Sequence, residues 1–144
     1  MFRLLLPFLF LLILLNPRAA FSADNNQFVT IVNPVRISYY TKDVNENIKA
    51  QYGVILENNL PATWLLTYDV LANSRAIKTI KSMDRRQEVG IFLEVTPDLS
   101  SAAKVTYNET GSWHHATSVF LSGYTQEERV KFIDTVFQKF EEEF

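Results

Sequence analysis

QEVGIFLEVTP, residues 87–97, is the stretch on which the fold turns. Its centre, Val89 to Leu93, is apolar except for Gly90, with Gln87 and Glu88 before it and Glu94 after, and the threonine and proline that follow forbid a simple continuation. Such a run reads as a strand buried on both faces, the kind found in parallel sheets rather than in half-solvated antiparallel ones. Two earlier segments have the same character. QFVTIVN (Gln27–Asn33) is short and β-branched and is stopped by Pro34, whose ring has no N–H for a sheet ladder. LPATWLLTY (Leu60–Tyr68) is the second run.

Helical periodicity separates these strands. Between Asp43 and Asn58, Val44, Ile48, Tyr52 and Ile55 recur at spacings of four, four and three, with Asp43 or Thr41 available as the cap. A second helix is expected from about Val70 to Met83, with Val70 or Leu71, Ile77 and Ile80 inward. After the third strand, Thr96 to Thr125 reads as a long loop containing Ser, Thr, Asn, Gly, both histidines and Trp113. The chain then closes on TQEERVKFIDTVFQKFEEEF, in which Thr125 and Glu128 form a capping box and Val130, Ile133, Phe137, Phe140 and Phe144 mark the predicted inward face. Strand alternating with helix implies an α/β protein, a parallel sheet covered on its faces. Three strands fall short of the seven or eight that close a βα barrel, and they leave an apolar edge. The expectation is therefore the first part of an incomplete (β/α) barrel, truncated from a longer product, or else a sheet completed by a partner chain.

The first 22 residues read differently from the rest. Arg3 is followed by a run from Leu4 to Leu15 that is apolar except for Pro7, and Ala20 and Ser22 occupy the −3 and −1 positions of a cleavage site. This is the pattern of a secretory signal peptide, residues 1–22, leaving one domain at 23–144. The run is shorter than the roughly 18 to 20 residues of a membrane-spanning helix, so stable insertion after cleavage is not expected; an N-terminal membrane anchor is the alternative. The protein is thus expected to be secreted or held in the cell envelope. Loss of Arg3 and Arg18 leaves twelve Lys and Arg against sixteen Asp and Glu, which supplies no basic footprint for nucleic acid. Cysteine is absent, which excludes disulfides, a thiol nucleophile and thiolate metal sites.

In parallel βα architectures function gathers at the carboxyl ends of the strands. That rule selects Asn33 and Arg36 after strand one, Tyr68 and Asp69 after strand two, and Glu94 at the end of strand three. Asp69 is also readable as a helix N-cap, Asn33 as a turn residue before proline, and Glu94 as a solvated strand-end acid. From the long loop, Trp113 could stack on a sugar ring or anchor the loop to the core. His114 and His115 are adjacent, a spacing poorly suited to chelating one metal. Asn108-Glu-Thr110 fits a glycosylation acceptor, while no Gly-x-Ser-x-Gly and no glycine-rich phosphate loop occurs.

A family resemblance follows from two of these blocks. NLPATWLLTYDVL (Asn59–Leu71) resembles the second-strand signature of polysaccharide deacetylases, and QEVGIFLEVTP is similar to their next block, where an acid and a glycine precede two histidines and a proline. The resemblance covers about Phe28 to Phe144 and implies the first half of that family's barrel. It also implies a departure: Phe92 and Thr96 stand where the metal-binding histidines belong, and Val32-Asn33 or Asn33-Pro34 stands where the family has two aspartates. Metal-dependent deacetylation is therefore not expected, and no metal or other cofactor is assigned. Two readings are left: a hydrolase acting on carbohydrate, with Glu94 and Asp69 as catalytic carboxylates, or a noncatalytic glycan-binding relative that uses Asn33, Arg36, Tyr68 and Trp113. An inactive fragment is the third.

Overall fold

The computed structural model describes residues 29–38, 40–41, 43–109 and 116–144. The proposed signal peptide, Trp113 and the two histidines lie outside the described residues. Three strands, β1 (Val32–Val35), β2 (Ala62–Leu66) and β3 (Gln87–Ile91), form one sheet in the order β1-β2-β3, and both pairings are parallel. The chain is an α/β protein in which helices alternate with these strands: α1 (Val44–Glu57), α2 (Tyr68–Leu71), α3 (Ser74–Lys81), α4 (Pro97–Ala103), α5 (Ala116–Val119) and α6 (Gln126–Glu143).

Local chemistry explains most boundaries. Asp43 caps α1 by accepting from the Asn45 N–H at 2.9 Å. At the other end Asn59 takes φ 54°, so that the Leu60 N–H reaches the Ile55 carbonyl and the Asn59 N–H the Leu56 carbonyl. This is a Schellman closure, which needs a left-handed residue and accepts asparagine. The capping box at Thr125 and Glu128 is complete.

β2 and β3 are shorter than the apolar runs read for them, because Leu60, Pro61, Thr67 and Tyr68 flank β2 and Phe92 to Val95 follow β3. β1 includes Asn33 and Pro34 instead of stopping before the proline, with Pro34 opposite Leu65. The Ile31 and Val35 carbonyls accept from Thr63 and Thr67. By alternation the Pro34 nitrogen points to the open edge, where a missing donor does no harm.

Register divides the sheet into two unlike faces. Ala62, Trp64 and Leu66 alternate toward the helices and are buried, Trp64 and Leu66 completely. The Tyr52 ring of α1 meets Trp64 edge-on at 6.4 Å, and the indole N–H donates to Gln87 Oε1 at 3.2 Å. On the opposite face Val32, Pro34 and Glu88 are exposed and Thr63, Leu65 and Gly90 half-buried. The expectation of a sheet covered on both faces is thus corrected: among the described residues only one face carries the core.

Two helical readings change as well. The second helix is broken into α2 and α3, because Asn73 accepts from the Ala76 N–H at 3.1 Å and starts a new helix. In α6 the fully buried residues are Phe132 and Val136; of the predicted face, Val130, Ile133 and Phe137 are 50%, 36% and 51% exposed, while Phe140 packs half-buried against the core. Phe132 packs edge-on against Tyr124 at 4.9 Å.

Candidate functional site at the carboxyl ends of the strands

Parallel pairing sends all three strand ends to the same side of the molecule. Arg36 is the first residue after β1, Asp69 the third after β2 and Glu94 the third after β3. Two of these meet directly: Arg36 Nε donates to Glu94 Oε2 at 2.6 Å and its Nη2 to Glu94 Oε1, a bidentate salt bridge. The planar fork of guanidinium matches a carboxylate in this way and fixes its orientation. Only 13% of the Glu94 side chain is exposed, against 43% for Arg36. Glu94 lies beyond β3, not at its end, because the ladder stops after Phe92 N–H donates to the Leu66 carbonyl; Val95 instead donates to the Val119 carbonyl of α5 at 3.0 Å.

Asp69 is not the cap of a helix. Thr67 holds the N-cap position of α2 and Asn73 that of α3, which leaves Asp69 in the first turn of α2 with its carboxylate accepting from Thr96 Oγ1 at 2.7 Å. Burial raises the Asp69 carboxyl above the ordinary aspartate range. The Thr96 hydrogen bond opposes that shift, and the nearby charges of Asp98 and Glu94 add to it. Thr96 also receives the Leu99 N–H at 3.1 Å as the N-cap of α4, so one hydroxyl ties strand-end acid to helix.

A cleft of about 530 Å³ opens here, lined among others by Arg36, Tyr40, Glu94, Thr96, Pro97 and Tyr107. Asp69 does not line it and reaches it only through Thr96. Burial raises the Tyr107 hydroxyl, with Tyr124, Glu94 and Glu109 adding to the effect. Tyr68, the first residue of α2, is half-buried against the core and is absent from the lining. Asn33 is misplaced by the strand-end rule. It sits inside β1 opposite Trp64, on the helix-covered face, and its Nδ2 is buried with no hydrogen-bond partner among the described residues. The structure therefore joins Arg36 and Glu94, brings Asp69 in behind Thr96, and separates Asn33 and Tyr68 from them.

Tyr40 and Tyr107 went unread in the sequence, and Thr96 was read only as standing in place of a metal-binding histidine. Its capping role was detectable, since Thr-Pro-Asp is a strong helix start with proline at the first helical position. The supposed loop after it accordingly begins with α4. Tyr40 and Tyr107 carried no local signal, because their approach to the cleft depends on how the flanking segments fold back.

The positions at which the resemblance would place metal ligands do not form a donor set. Phe92 offers no lone pair, the Thr96 hydroxyl is already engaged with Asp69 and Leu99, and Asn33 belongs to the other face of the sheet. Among the described residues no three acids or histidines cluster as a metal site, and no helix is long and apolar enough to cross a membrane. Compared with known proteins, the chain matches no protein-family model, no curated protein and no solved structure.

Proposed function

We propose that this chain is an exported glycan-binding protein, built on the first three βα repeats of an incomplete (β/α) barrel of the polysaccharide deacetylase-like type. The observation that carries the reading is the cleft itself: a bidentate Arg36–Glu94 pair at the strand carboxyl ends, with Tyr40 and Tyr107 beside it. Sugars present apolar C–H faces and rows of vicinal hydroxyls. Tyrosine rings cover the former, and coplanar guanidinium and carboxylate groups hydrogen-bond the latter. The half-open sheet face with exposed Val32 and Pro34 accords with a barrel interior awaiting further strands, whether from more chain or from a partner.

Binding is favoured over cleavage because both Glu94 oxygens are held by Arg36, which leaves that carboxylate poorly placed as a nucleophile or base. A hydrolase is the second reading, with Asp69, held behind the cleft-lining Thr96 at 2.7 Å, as the acid that would have to reach a leaving oxygen. Isothermal titration of the full chain with β-1,4-linked oligosaccharides tests the proposal. Binding that weakens about tenfold in Tyr107→Ala, the loss of one stacking ring, is expected. No detectable binding to any oligosaccharide would overturn it, and release of new reducing ends that stops in Asp69→Asn would replace it with the hydrolase.

A further inference from the structure

Resting on the glycan-binding reading, we propose that Glu94 is a built-in counter-anion that makes the cleft select neutral sugars and reject acidic ones. The argument begins from charge placement. Among the described residues lining the cleft, Arg36 is the single cation and Glu94 the single anion. An arginine in a sugar cleft is ordinarily the group that would seize a uronate or sulfate by its two parallel N–H donors. Here that fork is already occupied: Nε and Nη2 both point at Glu94. An anionic ligand would have to expel a carboxylate that is itself largely buried, and would leave that carboxylate without its partner.

The surroundings reinforce the exclusion. Glu94 and Glu109 both act on Tyr107, which lines the cleft, so a second acid besides Glu94 bears on the site. A second negative charge placed among them is repelled, and like-charge juxtaposition is a means of refusing a wrong ligand. Neutral hydroxyls meet no such barrier. They can bridge the outer lone pairs of Glu94 and the remaining N–H groups of Arg36 without breaking the pair. Glu94 is then a specificity-determining residue, acting through the donors it withholds.

Matched probes isolate charge from shape: β-1,4-linked tetramers of glucose, mannose and N-acetylglucosamine, and the same tetramers oxidised at C6 to uronates. Titration of the full chain is expected to show at least one neutral tetramer bound about tenfold or more tighter than its uronate. Glu94→Gln frees one charge of Arg36 and should reverse or erase that preference by gaining affinity for the uronate. Arg36→Gln/Glu94→Gln, which keeps two facing amides and removes both charges, should lose the gain while holding the fold, read by thermal melting. Equal binding of neutral and acidic tetramers by the unmodified chain, or an unchanged ratio in Glu94→Gln, overturns the inference and leaves glycan binding standing. Failure of the unmodified chain to bind any tetramer removes the glycan reading and the inference with it.

Discussion

The two ends of the sheet each hold an arginine clasped to a carboxylate, and they treat their aspartates in opposite ways. At the amino end, Asp84 just before β3 accepts from the Arg86 backbone N–H at 2.9 Å and from Arg86 Nε and Nη2 at 3.1 Å each. Arg86 then donates to the Asn59 carbonyl at 3.2 Å, so the starts of β2 and β3 are stitched together. These hydrogen bonds, first from the Arg86 side chain and then from its backbone, hold the Asp84 carboxyl down to about 2. At the carboxyl end the arginine serves Glu94, and Asp69 is left with one hydroxyl, partial burial and two acidic neighbours that push it up. An acid relaxed by its surroundings is a fastener. An acid disfavoured by them marks the end of the sheet that is arranged for something other than stability.

Breaking this contrast at its hinge should have the largest effect. Thr96→Val removes the α4 cap and the only hydrogen bond donated to Asp69 among the described contacts, and should destabilise the chain by about 1–2 kcal/mol in denaturant titration. Thr96→Ser should recover most of that loss, since the hydroxyl serves both roles. The Asp69 carboxyl should rise further in the valine variant and return in the serine one.

A paired substitution sharpens the comparison with smaller effects of opposite sign. Asp84 has a depressed folded-state pKa, so its contribution is present above the unfolded aspartate range and is lost as pH falls toward about 2. Asp84→Asn should therefore lower the melting temperature at neutral pH and do little in strong acid. Asp69 has a raised folded-state pKa, so the native state binds its proton more tightly than the unfolded chain, and stability falls as pH rises through that carboxyl's titration. Asp69→Asn keeps an acceptor for Thr96 and should raise the melting temperature at neutral pH, the gain shrinking as the medium is acidified. Melting curves of both variants across pH check the two signs together.

How much of this was legible beforehand depended on whether a pattern had one physical solution. The α1 face of Val44, Ile48, Tyr52 and Ile55 has no competing stripe, and Val44, Ile48 and Ile55 are buried with Tyr52 packed against the core. In α6 two apolar stripes overlap. Periodicity alone prefers the longer one through Val130, Ile133 and Phe137, but packing against Tyr124 turns Phe132 and Val136 inward. The parallel direction of the strands followed from the alternation of periods, yet strand ends did not: Asn33 appeared terminal because proline was read as a stop, whereas an edge strand tolerates proline with its nitrogen turned outward. Likewise Asp69 resembled an N-cap because it precedes an apolar helical pattern, and only the backbone places Thr67 there instead. The Arg36–Glu94 pair joins residues 58 positions apart. Both strand ends were visible, but a bond between them required knowing that β1 and β3 flank the same β2.

The account stands on the claim that the carboxyl end of this sheet, unlike its amino end, holds an acid against its preference. Carbon-detected NMR titration of the side-chain carboxyls measures this directly in the folded protein. Asp69 should titrate above free aspartate and Asp84 near about 2. Finding Asp69 at or below the free value, or the two in reversed order, would contradict it.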